Sequence, residues 1–367
     1  MKIAIPLLGF GKTGGYRVLA RLASVWSGWG HEVVMLAHRS SPQPYFPNSC
    51  RVLWIDDRGC QSEWTGPRDH GSLVSKCRVM VQLFALQQAL TRHFREYDVV
   101  LANHSLTAFP VRWCRSAAKR FYYIQAYEPE YYRSQSGWSS RILSRLSALS
   151  YQLGLCQIVN GHIYCHHKEI RSRHVVPPGV DETVFHPANG QSQRDPEKFI
   201  IGCIGRKEVG KGTRYVADAF RRLSASDKRY VLRVAYGHLP DSCRDMPNVE
   251  VVVPKSDAEL ADYYRSVDVL VAPGTIQLGA FHYPVMEPMA CGVPVITTNY
   301  APATAENAWL VPICNSLAIA DAIVEISSRP ELVAQRVRLA GEAMKPFTWP
   351  SVAESMLSIF QEAHRAE

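Results

Sequence analysis

The feature that most constrains the fold of this chain is a unit that occurs twice: a β-branched run, a glycine-containing loop and an amphipathic helix. The first unit begins with "KIAI", passes through the loop Gly9–Gly15 and continues into "GGYRVLARLASVW". The second begins with "KFIIGCIG", passes through "RKEVGKG" and continues into "TRYVADAFRRL". In both cases a further strand follows, which predicts parallel sheets with right-handed crossovers.

Strand-like runs continue in both halves of the chain, and helical patterns separate them. The pattern predicts the α/β class, with two doubly wound, Rossmann-like domains in tandem. At 367 residues the chain is long enough for two such cores. The connector Pro177–Gly179 marks the boundary, so we expect domains at 1–176 and 177–349. The amphipathic segment 350–367 is expected to complete the first domain.

Charge and composition narrow the possible partners and location. Residues 1–175 have a net charge of +12 and the remainder −4. This asymmetry fits a solvated basic surface or attraction to an anionic membrane face, where each basic residue contributes ~1 kcal/mol. No nucleic-acid-binding motif appears, and no apolar run approaches the ~18 residues of a membrane span. The ten cysteines form no C-x-x-C pair. We therefore expect a cytoplasmic protein, with peripheral contact at the inner membrane face as an open alternative.

The first glycine loop resembles a Walker phosphate loop only at its end. "GKT" at 11–13 matches, but Pro6 stands where the opening glycine is required, and proline has no N–H to donate. Gly14 and Gly15 instead stand where a helix begins, and helix N-termini attract phosphate. A tight turn is the alternative explanation.

The second glycine loop has cations on either side. Arg206 offers a planar fork and Lys211 a point charge, a combination suited to a diphosphate. Here too, a tight turn is the favoured explanation of the glycines when the loop is considered alone. One such loop per domain is the stronger observation, and it favours binding of a phosphorylated ligand.

Three segments resemble the marker segments of family 4 glycosyltransferases, which have the GT-B fold: "VVPPGVDETVFHP", "GRKEVGKG" and "PVMEPMACGVPVITT". The resemblance implies two domains facing each other across a cleft, a nucleotide diphosphate sugar as donor, and transfer with retention. It also implies that no cofactor or metal is needed. By this resemblance Arg206 and Lys211 would hold the diphosphate, Glu287 the ribose hydroxyls, and the loop at Gly14 and Gly15 would close over the donor phosphates.

The chain departs from the family motif Glu-x7-Glu at one position, because Gly279 stands eight residues before Glu287. The donor loop therefore reads Gly279, Ala280, Phe281, His282, where the family has a glutamate followed by Gly-Phe-Gly. Three explanations stay open: a donor sugar with different hydroxyl requirements, such as the deoxy sugar rhamnose, a substitute group such as His282, or lost activity.

The N-terminal half supplies candidates for acceptor binding and catalysis. His104 follows a strand end, where ligands bind in open α/β sheets, although a histidine satisfied within its own loop is an equal alternative. "YYIQAYEP" is similar to the "IQDYEP" stretch of bacterial rhamnosyltransferase-like members, with Ala126 in place of the aspartate. Gln125, Tyr127 and Glu128 are expected to bind the acceptor, and a tyrosine-rich packing segment is the alternative.

Two further segments have less specific patterns. The histidine-rich "HIYCHHKEIRSRH" lacks the paired spacing of a closed zinc site, so no metal is expected. "WCRSAAKRF" and "WSSRILSRLSALSYQL" mix tryptophan, arginine and apolar residues as membrane-surface segments do, and helices that pack on the core are an equal alternative.

Together these observations predict a glycosyltransferase that moves a sugar from a nucleotide diphosphate sugar to a glycan or a lipid-linked glycan, as in polysaccharide biosynthesis. Arg206 and Lys211 would stabilise the leaving diphosphate, and His104 is a further catalytic candidate. Two alternatives remain: a nucleotide-sugar isomerase of the same fold, and, given Gly279, a non-catalytic nucleotide-sugar-binding protein.

Overall fold

A computed structural model describes residues 1–67, 72–133, 137–188, 195–240 and 246–365, with the backbone alone over 72–77. The chain divides into two compact units. One comprises residues 1–178 together with 349–367, and the other residues 179–348. The sequence predicts these breaks after residues 176 and 349. Among the described residues, no helix combines the length and the apolar character that crossing a membrane requires.

The N-terminal unit contains a parallel sheet of seven strands in the order β3-β2-β1-β4-β5-β6-β7. Its strands are β1 Lys2–Pro6, β2 Glu32–His38, β3 Arg51–Ile55, β4 Val99–Ala102, β5 Lys119–Ile124, β6 Cys156–Val159 and β7 His174–Val175. Its helices are α1 Gly14–Gly28, α2 Ser72–His93, α3 Ser105–Trp113, α4 Glu128–Arg133, α5 Trp138–Ser150 and, at the end of the chain, α11 Trp349–Arg365.

The C-terminal unit contains a parallel sheet of six strands in the order β10-β9-β8-β11-β12-β13. Its strands are β8 Phe199–Ile204, β9 Tyr230–Ala235, β10 Val249–Val252, β11 Val269–Ala272, β12 Val295–Thr297 and β13 Trp309–Leu310. Its helices are α6 Thr213–Ser226, α7 Asp257–Arg265, α8 Tyr283–Ala290, α9 Ser316–Ser328 and α10 Pro330–Met344. The predicted α/β class with two doubly wound units is confirmed.

Helices cover both faces of each sheet, as parallel sheets require. Successive residues of β1 point to opposite faces of the sheet. Ile3 and Ile5 pack into one apolar cluster and Ala4 packs into another. This alternation follows from the two-residue period of a strand. Because both faces are buried, the strands read as nearly continuous apolar runs, which is why most of them are recognisable in the sequence.

The last helix of the chain, α11, packs in the N-terminal unit rather than beside the residues that precede it. The indole N–H of Trp26 donates to the carbonyl of Ala353 at 3.0 Å. The Phe360 ring lies 5.8 Å from Trp26 and 4.6 Å from Phe121, measured between ring centroids. Phe360 is fully buried, so α11 closes one face of this unit's core.

We expect Phe360→Ala to lower the free energy of unfolding by about 3–5 kcal/mol, because the substitution leaves a cavity between α1, α11 and the sheet. The matched control is His364→Ala, an exposed position on the same helix, which should change stability by less than about 0.5 kcal/mol. Urea unfolding curves of the three proteins measure the difference. Equal losses for both variants would contradict the packing of α11 described above.

Candidate functional site

In each sheet the chain order reverses at one point, and a crevice forms there at the carboxyl ends of the strands. In the C-terminal unit this point lies between β8, which ends at Ile204, and β11, which ends at Ala272. A cavity of about 220 Å³ opens at this position. The residues that line it are Cys203, Ile204, Arg206, Lys211, Thr213, Val216, Val271, Ala272, Pro273, Phe281, His282, Tyr283 and Pro284.

The loop between β8 and α6 brings two cations to this cavity. The backbone N–H of Arg206 donates to the Thr213 hydroxyl at 3.1 Å, which ties the start of the loop to the first residue of α6. Gly212 adopts φ +76°, and a Cβ there would collide with the carbonyl oxygen of Pro273, so the turn requires glycine. Burial and then the charge of Arg206 lower the pKa of Lys211. Two like charges held together in a partly buried cavity favour an anionic ligand.

His282 also faces these cations. Its ring stacks on Tyr300 with centroids 4.6 Å apart, and its Nδ1 atom is enclosed without a partner among the described residues. Burial first, and then the charges of Lys211 and Arg206, lower the pKa of His282 to about 3. The imidazole is therefore neutral at physiological pH, and it is a polar group that can exchange a hydrogen bond without adding charge.

The backbone beside His282 explains why glycine occupies position 279. Gly279 has φ +89°, a conformation that side chains rarely adopt. Its N–H donates to the carbonyl of Asn299 at 2.5 Å, and the Ala301 N–H donates to the carbonyl of Ala280 at 3.0 Å. These bonds hold the loop against the segment that follows β12. A glutamate at position 279 would be strained in this loop. The backbone conformation therefore explains why the chain departs from the family motif at this position.

Glu287 lies on α8, and only 2% of its surface is exposed. The hydroxyl of Tyr264 donates to its carboxylate at 2.9 Å. Burial, followed by the charge of Glu287, raises the pKa of Tyr264, so this tyrosine remains a donor. The carboxylate is thus held in a fixed position inside the unit, and its contact with a ribose stays a prediction.

In the N-terminal unit the chain order reverses between β1 and β4. The amide of Asn103 donates to the carbonyl of Pro6 at 2.8 Å and joins the two strand ends. Helix α1 begins at Gly14, as the sequence predicts, and Gly15 accepts a hydrogen bond of 3.4 Å from the Gln125 side chain after β5. A Cβ at Gly15 would stand 3.4 Å from that amide, which is an ordinary van der Waals distance, so this contact does not by itself require glycine. The structure therefore brings the glycine loop and Gln125 together.

His104 and Glu128 form a pair at the same edge. The Nε2 atom of His104 lies 3.3 Å from the Glu128 carboxylate, and its Nδ1 atom accepts the Leu106 N–H at 3.1 Å as the N-cap of α3. The carboxylate also accepts from the Ser105 N–H at 2.9 Å and from the Ser105 hydroxyl. Both ring nitrogens of His104 are therefore engaged within this unit, which favours the alternative of a histidine satisfied by its own loop.

Tyr127 lies in the core of the N-terminal unit. Its ring stacks on His167 with centroids 3.5 Å apart and lies 5.8 Å from Tyr151. Only 7% of its surface is exposed, and burial raises the pKa of its hydroxyl. This placement favours the packing alternative for Tyr127, whereas Gln125 and Glu128 lie at the sheet edge.

The histidine-rich segment does not assemble into a ligand set. His162 to His166 form a 3₁₀ turn, and His167 is the residue stacked on Tyr127. In the part of the chain that the structure describes, no three His, Cys, Asp or Glu side chains lie close enough together to hold a metal ion.

Sequence reasoning missed two residues of the C-terminal site. Thr213 fixes the loop of Arg206, and Tyr300 supports the ring of His282. The position of Thr213 directly after "GKG" was an available signal, because threonine at a helix start commonly bonds loop backbone. Tyr300 lies in a loop with no regular pattern, and its contact depends on the fold.

Part of the chain is similar to known glycosyltransferases. Residues 198–329 match the family model described as "Glycosyl transferases group 1". A D-inositol 3-phosphate glycosyltransferase from Saccharomonospora viridis is 27% identical over 219 residues, which are 52% of this chain and 50% of that protein. The chain thus spans about half the length of the curated relatives it matches.

Two solved structures share the fold. Sucrose-phosphate synthase from Thermosynechococcus elongatus superposes with a TM-score of 0.74 at 18% identity and full coverage of both chains. Anabaena Alr3699/HepE, solved in complex with UDP-glucose, gives a TM-score of 0.70 at 14% identity over 99% of this chain and 100% of that one. Both likenesses show the fold alone. With the family match, they confirm the GT-B fold, and over residues 198–329 the chain is similar to the group 1 glycosyltransferases.

The low pKa of His282 has a consequence for stability. The folded ring stays neutral down to about pH 3, whereas the unfolded ring takes up a proton near pH 6.5. The unfolded state therefore binds more protons below pH 6.5, and stability falls as the pH falls. We expect the wild type to lose about 1–2 kcal/mol more than His282→Gln between pH 7 and pH 5.

Urea unfolding at pH 5, 6 and 7 measures this difference, with the exposed position His364→Gln as the control. The control should follow the wild-type pH dependence. If His282→Gln follows it as well, the ring of His282 titrates normally in the folded protein and its description as a neutral group is wrong.

Proposed function

We propose that the protein transfers a sugar from a nucleotide diphosphate sugar to a glycan or lipid-linked glycan acceptor. The observation that carries this proposal is the pair of Arg206 and Lys211 at the cavity of the C-terminal unit, where Lys211 is partly buried beside the exposed Arg206. A diphosphate would supply the negative charge that this pair favours. The similarity of residues 198–329 to the model described as "Glycosyl transferases group 1" supports the same conclusion.

The proposed mechanism is stabilisation of the leaving group. As the bond between the sugar and the diphosphate breaks, negative charge develops on the phosphate oxygens, and Arg206 and Lys211 neutralise it. The acceptor hydroxyl would attack from the face of the departing phosphate, whose oxygen takes the acceptor's proton. This route retains the anomeric configuration and uses neither an enzymic nucleophile nor a metal. On the N-terminal unit, Gln125 and Glu128 are the proposed acceptor-binding groups.

His282 is the proposed group that selects the donor sugar. Its neutral ring lines the cavity beside both cations, and Gly279 leaves no carboxylate at the position where the family has one. A carboxylate can accept hydrogen bonds from several sugar hydroxyls, whereas a neutral imidazole accepts one. The exchange therefore favours a sugar with fewer hydroxyls, and a deoxy sugar such as rhamnose fits this requirement.

The donor assignment is tested by thermal stabilisation with a panel of nucleotide diphosphate sugars. A ligand at 100 times its dissociation constant adds about 2.7 kcal/mol of stability. We expect one sugar nucleotide to stabilise the wild type, and Arg206→Ala or Lys211→Ala to weaken its binding by about 10- to 100-fold, since each removes a charged hydrogen bond. His104→Ala, in the other unit, is the matched control and should leave donor binding unchanged.

Product analysis then separates the reactions. Turnover of the donor only when a glycan acceptor is present identifies a transferase, whereas conversion of the donor alone identifies an isomerase. Binding without turnover under either condition identifies a sugar-nucleotide-binding protein. Equal and small effects of Arg206→Ala, Lys211→Ala and His104→Ala would refute the diphosphate assignment.

The role of His282 is tested by His282→Phe, which keeps a planar ring and removes its hydrogen bonds. We expect binding of the complete sugar nucleotide to weaken by about 5- to 10-fold, the value of one hydrogen bond. Calorimetric titration measures this, and the free nucleoside diphosphate is the internal control, because its contacts should be unaffected. A similar loss for both ligands would show that His282 acts on the diphosphate and not on the sugar.

A further inference from the structure

A second, larger cavity of about 710 Å³ lies in the N-terminal unit, between α2, α3 and α5, and we call it the apolar groove. Its lining is almost entirely hydrocarbon and aromatic. The residues are Leu8, Val79, Met80, Leu83, Phe84, Gln87, His104, Leu106, Phe109, Pro110, Trp113, Tyr132, Trp138, Ser139, Ile142, Leu143 and Leu146. The proposed donor chemistry uses none of these side chains.

Helix α5 packs on the unit through its small residues and not through its large apolar ones. Its serines point inward: four of them, at positions 140, 144, 147 and 150, are buried, and Ser144 donates to the carbonyl of Pro129 at 3.1 Å. Its larger apolar residues, Ile142, Leu143 and Leu146, line the groove instead. An amphipathic helix normally places its apolar stripe against the core. Here that stripe faces an open groove.

Large aromatic side chains are also left exposed around the groove. Phe84 and Trp113 are each 56% exposed, and Trp138 is 78% exposed. Contiguous exposed apolar surface of this kind marks a binding site for a protein, a membrane or an apolar ligand. Burying these rings against such a ligand would remove a large apolar area from water.

The ends and rim of the groove indicate the chemistry of its ligand. One end reaches His104 and Leu8, which follow β4 and β1 at the point where the strand order of this sheet reverses. Arg112, Arg141 and Arg145 are exposed on α3 and α5. The sequences of α2, α3 and α5 contain six lysines and arginines and no aspartate or glutamate. This charge is complementary to an anionic head group.

We propose that the apolar groove binds the hydrocarbon chain of an anionic, lipid-linked acceptor, whose anionic group is neutralised by the basic side chains of α3 and α5 and whose uncharged sugar lies at the sheet edge beside His104 and Glu128. The inference rests on the proposed function, because it names the acceptor class of that reaction. An extended peptide segment is a poorer occupant, since its backbone would need hydrogen-bond partners that a hydrocarbon wall does not offer. A hydrocarbon chain needs none.

The test uses the full chain and dodecyl phosphate below its critical micelle concentration, followed by calorimetric titration. We expect binding at one site per chain, and no comparable binding of inorganic phosphate. Ile142→Glu, which places a charge in the groove, should weaken binding at least about tenfold. Leu149→Glu is the matched control, because Leu149 is 48% exposed on the same helix and lies outside the groove lining. Phe84→Ala, a truncation of an exposed ring, provides a second variant that weakens binding without new charge.

Three outcomes would overturn the proposal. Equal affinity of Ile142→Glu and Leu149→Glu for dodecyl phosphate would place the amphiphile elsewhere. Capture by phosphatidylglycerol vesicles that Ile142→Glu abolishes, without binding of the monomeric amphiphile, would identify a membrane-docking face. A concentration-dependent dimer that Ile142→Glu dissociates, without amphiphile binding, would identify an interface between copies of the chain.

Thermal stabilisation by the sugar nucleotide, measured on the same variants, separates this proposal from the function on which it rests. Donor binding without amphiphile binding leaves the transferase proposal standing and refutes the lipid-linked acceptor. Amphiphile binding without binding of any donor in the panel refutes both, because the groove would then hold a lipid that is not an acceptor.

Discussion

Both sheets of this protein are parallel throughout, and the remaining features of the molecule depend on that constraint. Parallel strands require crossover connections, which cover both faces of the sheet and bring all carboxyl ends of the strands to one edge. Where the strand order reverses, the crossovers leave in opposite directions and open a crevice. The glycine loop with the pair of His104 and Glu128 lies at one such point, and the pair of Arg206 and Lys211 lies at the other.

At the second of these points the fold holds its polar groups in an electrostatically unfavourable arrangement. Burial and the neighbouring cation lower the pKa of Lys211, and the same two causes keep His282 neutral. Contacts of the loop backbone maintain this arrangement. The Thr213 hydroxyl accepts the N–H of Arg206, and Gly212 allows the turn before α6. Packing in the rest of the unit compensates for the unfavourable electrostatic free energy of this arrangement, and an anionic ligand would reduce it. The free protein is thus already organised for an anionic ligand.

The sequence predicts the class, the units and the position of most strands, because strands buried on both faces read as apolar runs. It does not predict β6 or the two-residue strands β7 and β13. Candidate residues were located by motif spacing, but their environments depend on partners from other segments. Tyr127 stacks on His167, and both ring nitrogens of His104 are engaged by Glu128 and by the N–H of Leu106. No local pattern in the sequence encodes these contacts.

The absent carboxylate and the imidazole beside it are best understood as a single structural change. Gly279 adopts a conformation that disfavours any side chain. The hydrogen bond from its N–H to the carbonyl of Asn299 holds the loop against the segment that also contains Tyr300. Tyr300 in turn supports the ring of His282. Restoring a glutamate at position 279 alone would strain the loop that positions His282. The two residues therefore have to be considered together, because the backbone that excludes the carboxylate is the one that presents the imidazole to the cavity.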